Sequence, residues 1–163
     1  MPVKIREATI DDISIIQNLT HKIWPVAYGE ILSDDQLKYM LELIYSESSL
    51  QKQMNEGHHF LIVEEDNKPI AFADYGLLKD GVYKLHKIYV LPDQQGKSIG
   101  KLLINHVIDL VKQLHATALM LNVNRHNKAK QFYEHLGFKV ISEEDIDIGE
   151  GYFMNDFIMS YKL

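Results

Sequence analysis

The stretch from residue 59 to residue 90 constrains the fold more than any other. It reads as three apolar runs, HFLIVEE (59–65), PIAFADYGLL (69–78) and VYKLHKIYV (82–90), separated by Asp66-Asn67 and Asp80-Gly81. Each run is rich in β-branched and aromatic residues, and each gap carries the residues a tight hairpin turn requires. Strands joined by such short turns must pair antiparallel, so an all-helical or wholly parallel architecture is excluded. The texture then changes. Ile99, Leu102, Leu103, His106, Val107, Leu110 and Leu114 recur at intervals of three and four, the spacing of a long amphipathic helix, before a short apolar strand at Ala118–Val123. A helix of that length between two strands is the connection that parallel neighbours need.

The flanks complete the order. Val3 to Ala8 alternates as a strand, and Thr9-Ile10-Asp11-Asp12 has the form of a capping box. Ile10, Ile13, Ile16, Leu19 and Ile23 follow at helical spacing up to Pro25, where the run is expected to stop. Ser33-Asp34-Asp35-Gln36 starts a second helix with Leu37, Met40, Leu41 and Ile44 on one face, and a short third helix is expected over Ser48–Met54. Asn127 opens a late helix that Gly137 closes, and Phe138–Ile141 and Phe153–Tyr161 supply the last two strands. The expected fold is α+β: a mixed, mostly antiparallel sheet of about seven strands with helices on both faces. No repeat or Pro/Gly/Ser-rich linker divides the 163 residues, so one domain, 1–163, is expected.

Charge and cysteine usage narrow the function. Seventeen Lys and Arg stand against 23 Asp and Glu, a net charge of −6. That balance disfavours a nucleic-acid partner and favours attraction of a cationic small molecule. Cysteine is absent, which removes disulfides, thiolate metal ligands and a cysteinyl intermediate. The eight histidines show no zinc-ligand spacing, so no metal is expected, and no G-x-S-x-G elbow is present. No apolar run approaches the ~20 residues of a membrane span. A cytoplasmic protein without a membrane partner is expected, with association into a homodimer left open.

Chemistry concentrates in Lys87–Leu103, where a strand runs into a polar loop of small residues and then into the long helix. The first turn of a helix leaves backbone N–H groups unpaired and carries partial positive charge, so it attracts phosphate. Gly96, Ser98 and Gly100 would let a diphosphate approach the backbone, with Lys97 and Lys101 beside it. A P-loop is excluded because its leading glycine would fall at Leu91, and the spacing of Gly96 and Gly100 does not fit the dinucleotide fingerprint.

Two signatures then occur in order. Gln95-x-x-Ser98-x-Gly100 follows a strand ending Ile88-Tyr89-Val90, and Asn127-x-Ala129-x-x-Phe132-Tyr133-x-x-x-Gly137-Phe138 comes after the next strand. Together they resemble the GNAT N-acetyltransferase superfamily, specifically from about Leu85 to Phe138. The resemblance implies acetyl-CoA as co-substrate and transfer of acetyl to a primary amine by direct attack in a ternary complex. It implies that the Ile88–Val90 backbone holds the pantetheine arm, that Gln95 to Lys101 (Gln95, Gly96, Lys97, Ser98, Ile99, Gly100 and Lys101) wraps the pyrophosphate, and that Asn127 reaches the cofactor from the late helix. Lys130, on the same helix, is a candidate for the 3′-phosphate. The segment Gly151–Met159 adds a similarity to bacterial polyamine (spermidine/spermine) N-acetyltransferases.

Ser98 stands where the family has a glycine. Either the position needs positive φ, which strains serine, or it needs only a small side chain; the second reading is the one favoured. Tyr133 is the residue that the family uses to protonate the departing thiolate. On a helical wheel it borders a buried face of Ala129, Phe132 and Leu136. Lys84 occupies the position of the family's glutamate base. Alternation places His86 on one strand face with Lys84, Ile88 and Val90, making it the candidate proton acceptor. Trp24 and Tyr28 would line the acceptor pocket, with Glu30 as counter-charge. Acetylation of a protein or peptide amine, and a non-catalytic acyl-CoA-binding regulatory module, are the alternatives.

Overall fold

The computed structural model describes residues 2–163. Strand β1 (Val3–Glu7) leads through a 3₁₀ turn at Ile10–Asp12 into α1 (Ile13–Tyr28), followed by α2 (Asp34–Tyr45) and α3 (Glu47–Asn55). The meander β2 (His59–Glu65), β3 (Lys68–Lys79) and β4 (Val82–Val90) comes next, then α4 (Ile99–Gln113), β5 (Ala118–Asn124), α5 (Ala129–Leu136), β6 (Lys139–Gly149) and β7 (Tyr152–Lys162). The strands form one sheet in the order β1-β2-β3-β4-β5-β7-β6, antiparallel throughout except for the parallel pair β4–β5. The turn signals behave as their chemistry requires: Asp66 and Asn67 both take positive φ (53° and 64°), and Gly81 has φ 74°. The capping box at Thr9 and Asp12 forms, and Ser33 caps α2 by accepting from Gln36 N–H at 3.1 Å.

Each face of the sheet carries a core. On one side α4 buries Leu103, Ile104, Val107 and Val111 against Leu85, Leu119 and Leu121 of the strands. On the other, Ile16, Ile23 and Trp24 of α1 and Leu50 of α3 cover Phe60, Ile62 and Phe72. A fully buried Leu or Ile contributes about 1.5–3 kcal/mol, so these two layers clamp the sheet rigidly around its centre.

The structure departs from the sequence expectation in two elements. Helix α1 continues through Pro25 to Tyr28. Pro25 is exposed, so the carbonyl its ring leaves without a helical donor faces water, while Trp24 and Tyr28 on the inward side keep packing. Strand β6 runs on from Ile141 to Gly149. Its acidic SEEDIDIG stretch has only Ile146 and Ile148 as apolar positions because it is an exposed edge strand, held by pairing to β7 and by Arg125, which ion-pairs with Glu143 and Asp145.

Candidate functional site

Strands β4 and β5 pair only from Val82↔Ala118 to Leu85↔Leu121. Beyond that register they separate, because β4 carries a bulge: Asp74 of β3 faces Lys87, yet its neighbour Tyr75 faces Leu85, so His86 is the extra residue. From there on, β5 pairs only with β7, and β4 only with β3. The edge of β4 from His86 to Val90 thus offers backbone donors and acceptors to the gap. A cavity of about 820 Å³ fills it, with Ile88, Tyr89 and Val90 on one wall, Asn127 and Tyr133 on the other, and the α4 N-terminus at its end. The unpaired strand edge, the helix N-terminus and the cavity's size together suit an extended ligand with a phosphate at one end.

The loop into α4 answers the question left open at Ser98. Its backbone is left-handed (φ 62°, ψ 21°) and its side chain makes no capping bond. The position does need positive φ, contrary to the favoured reading, and serine stands in the glycine conformation under strain. Gly96 (φ 85°) and the αL serine turn the loop so that the first α4 N–H groups face the cavity. Replacing Ser98 with glycine should therefore raise stability by up to about 1 kcal/mol, read as a shifted chemical-denaturation midpoint at unchanged slope. A destabilised variant would mean that the hydroxyl holds the loop.

A second cavity of about 180 Å³ adjoins the first, and Tyr28, His86, Tyr89 and Asn122 line both. Aromatic rings wall it: Trp24 lies 4.8 Å from Tyr28 and 5.4 Å from Tyr45, centroid to centroid, and the Tyr28 and Tyr89 hydroxyls are 3.0 Å apart. Trp24 Nε1 and the Tyr45 hydroxyl are buried without a hydrogen-bond partner among the described residues. An unpaired buried donor costs about 1–3 kcal/mol, so a bound polar group has partners to gain here.

Beneath the cavity lies a charged cluster. Lys87 Nζ donates to Asp74 Oδ2 at 2.8 Å and to Gln53 Oε1 at 2.7 Å, and His58 Nδ1 donates to Asp74 Oδ2 at 2.5 Å. Burial alone would raise the Asp74 pKa, but His58 and Lys87 outweigh it and hold the carboxyl below its usual range. His86 stacks on His58 with centroids 4.1 Å apart, and burial pushes its pKa down to about 4. It is neutral at physiological pH and only weakly basic. The bulge also alters its company: His86 faces the second cavity with Lys84 and Lys87, while Ile88 and Val90 pack toward α4. The expected common face of Lys84, His86, Ile88 and Val90 is not formed.

The other expected residues divide. Gln95, Gly96, Ser98, Ile99, Gly100 and Lys101 line the large cavity. Lys97 instead bonds Gln94 Oε1 at 3.0 Å, and Lys130 lies 4.9 Å over the Phe157 ring and 3.8 Å from Glu134, so neither borders the cavity. Lys128, which sequence reasoning passed over, does. Asn127 Oδ1 accepts from Ala129 N–H at 2.9 Å and thereby starts α5. Helix α5 buries Tyr133, while Phe132 is 37% exposed, the reverse of the expected wheel. Phe132 points across the cavity's end toward Gly100, and Tyr133 packs on Phe138 with centroids 6.0 Å apart. Burial raises the Tyr133 pKa above that of free phenol. Trp24 and Tyr28 line the second cavity, Tyr28 also lines the larger one, and Glu30 borders only the larger one.

Asp156 also went unnoticed. It sits on β7 between Met154 and Ile158 on the same strand face, buried between two apolar neighbours, and it lines the second cavity. A buried polar residue within apolar alternation is a signal the sequence did contain.

Comparison with known proteins agrees with this geometry. The acetyltransferase (GNAT) domain family matches residues 30–150. The spermidine N(1)-acetyltransferase of Thermoplasma acidophilum is 27% identical over 99% of this chain and 98% of its own. The [ribosomal protein bS18]-alanine N-acetyltransferase of Haemophilus influenzae is 33% identical over 61% of this chain and 65% of its own. Among solved structures, the PaiA N-acetyltransferase of T. acidophilum in complex with coenzyme A superimposes with a TM-score of 0.84 at 27% identity, covering 100% of both chains.

Proposed function

We propose, for a chain that belongs to the GNAT acetyltransferase family, that the gap between β4 and β5 holds acetyl-CoA and that the adjoining aromatic cavity receives a primary amine, a polyamine foremost. The protein is an acetyl-CoA-dependent N-acetyltransferase. The parting of the strands beyond Leu85↔Leu121 carries the placement, since it frees a strand edge next to a phosphate-attracting helix terminus. No helix among the described residues is long and apolar enough to cross a membrane.

Acetyl-CoA supplies the activated acyl carbon. In this reading the β4 edge at Ile88–Val90 aligns the pantetheine arm, and Gln95 to Lys101 meets the diphosphate, without Lys97 and with Lys128 in place of Lys130. Tyr28, Tyr89 and Trp24 exclude water and present ring faces to a cation, a contact worth about 0.5–2 kcal/mol. Tyr133 gives its hydroxyl proton to the departing thiolate. Burial raises the phenol, but a thiol leaving into the same dry cleft is raised too, so the transfer stays matched. His86, neutral and stacked on His58, is a weak proton acceptor and a wall of the amine's path.

The polyamine is supported by the net charge of −6 and by the spermidine-acetylating relative. Thiol release measured with spermidine, an uncharged arylamine and a lysine peptide tests it. Spermidine's kcat/KM should fall about three- to tenfold between ~10 and ~300 mM salt, as screening removes long-range attraction, while the arylamine changes little. Equal salt sensitivity, or preference for the peptide, would displace the polyamine.

A further inference from the structure

Asp156 is 3% exposed and lines the second cavity. Its Oδ2 accepts from Asn122 Nδ2 at 3.3 Å, and Asn122 lines both cavities. Among the described residues no side chain donates to the other carboxylate oxygen, and Lys84, across the cavity, forms no ion pair with it. That oxygen is not among the fully buried unpaired atoms, so it keeps access to the cavity, where a bound cation would complete a carboxylate otherwise largely removed from water. The cavity around it is walled by aromatic rings and opens onto the β4 edge that the acyl donor would occupy.

We infer that Asp156 receives the ammonium of the acceptor and removes its proton. This rests on the acetyl-transfer reading. The ammonium gives one proton to Asp156, and the nitrogen lone pair forms the C–N bond as the C–S bond breaks. Tyr133 protonates the sulfur, the second nitrogen proton restores the phenol, and Asp156 returns its proton to solvent, so one proton is released per acetyl transferred. Burial raises the Asp156 pKa against the opposing effect of Asn122, which makes it a better base than a surface aspartate. The same dry cavity lowers the pKa of a bound ammonium. The groups around Asp156 are Tyr28 from α1, Lys84 from β4, Arg125 after β5 and Glu144 from β6.

Asp156→Asn keeps the shape and the Asn122 contact, and thermal melting would confirm the fold. With spermidine, kcat/KM should drop about 100- to 1,000-fold, and the acid limb of its pH profile, where activity falls as Asp156 protonates, should disappear. Asp156→Glu should restore part of both. Calorimetric titration of spermidine into the CoA-saturated variant should show at least tenfold weaker binding, with CoA affinity unchanged. A kcat/KM within about threefold of wild type, or a surviving acid limb, would overturn the assignment. Were the wild type inert toward every amine, the transfer reading would fail, and the spermidine titration would still decide whether Asp156 receives the cation.

Discussion

Gly100→Glu is expected to weaken CoA binding by at least a hundredfold while leaving the fold intact. Gly100 is the second residue of α4, with ordinary helical φ. A Cβ there would come within 3.4 Å of Phe132 Cζ and 4.0 Å of Val90 Cγ2, contacts that a half-exposed ring can accommodate. An acidic residue in the first turn also complements the helix dipole, so α4 itself should not suffer. The diphosphate would. Two like charges ~5 Å apart at an effective dielectric of ~20 repel by about 3 kcal/mol, and a hundredfold loss requires about 2.8 kcal/mol. Gly100→Ala adds the methyl without the charge and should bind within a few fold of wild type. Calorimetric titration with CoA reads all three proteins; wild-type affinity in Gly100→Glu would place the phosphate site elsewhere.

Much of this architecture can be read from the chain because it is encoded locally. The Asp66-Asn67 turn, the Ser33 cap and the three-and-four spacing from Ile99 each specify their element within a few residues. What escapes local reading depends on contacts between distant segments. The bulge at His86 is set by β3 registering against β4, and it puts Lys87 and Tyr89, in place of Ile88 and Val90, beside Lys84 and His86 at the second cavity. Pro25 continues its helix because the rest of α1 is anchored on the sheet. Phe132 and Tyr133 exchange burial because α5 leans its tyrosine on Phe138, leaving the phenylalanine over the cavity's end. Ser98 differs in kind: the alternatives were visible in sequence, but only the backbone angle separates a glycine conformation from mere smallness. Asp156 was legible as a charge within apolar alternation, yet its partner Asn122 lies 34 positions away on another strand.

Tyr133 separates catalysis from cofactor binding. It is 8% exposed, with ring centroids 5.5 Å from Phe132 and 6.0 Å from Phe138, and phenylalanine keeps all of that packing. Only the hydroxyl is lost. In the proposed mechanism the hydroxyl acts as sulfur departs, so its removal should appear in kcat and not in CoA affinity. Steady-state thiol release with acetyl-CoA and spermidine, on wild type and Tyr133→Phe together, is the most direct test of acetyl transfer in the β4–β5 cleft. The wild type should release one thiol per acetylated amine, and the variant should turn over about ten- to a thousandfold more slowly with CoA binding within about threefold. A wild type that binds CoA yet acetylates no amine, or a folded variant with unchanged kcat, would contradict it.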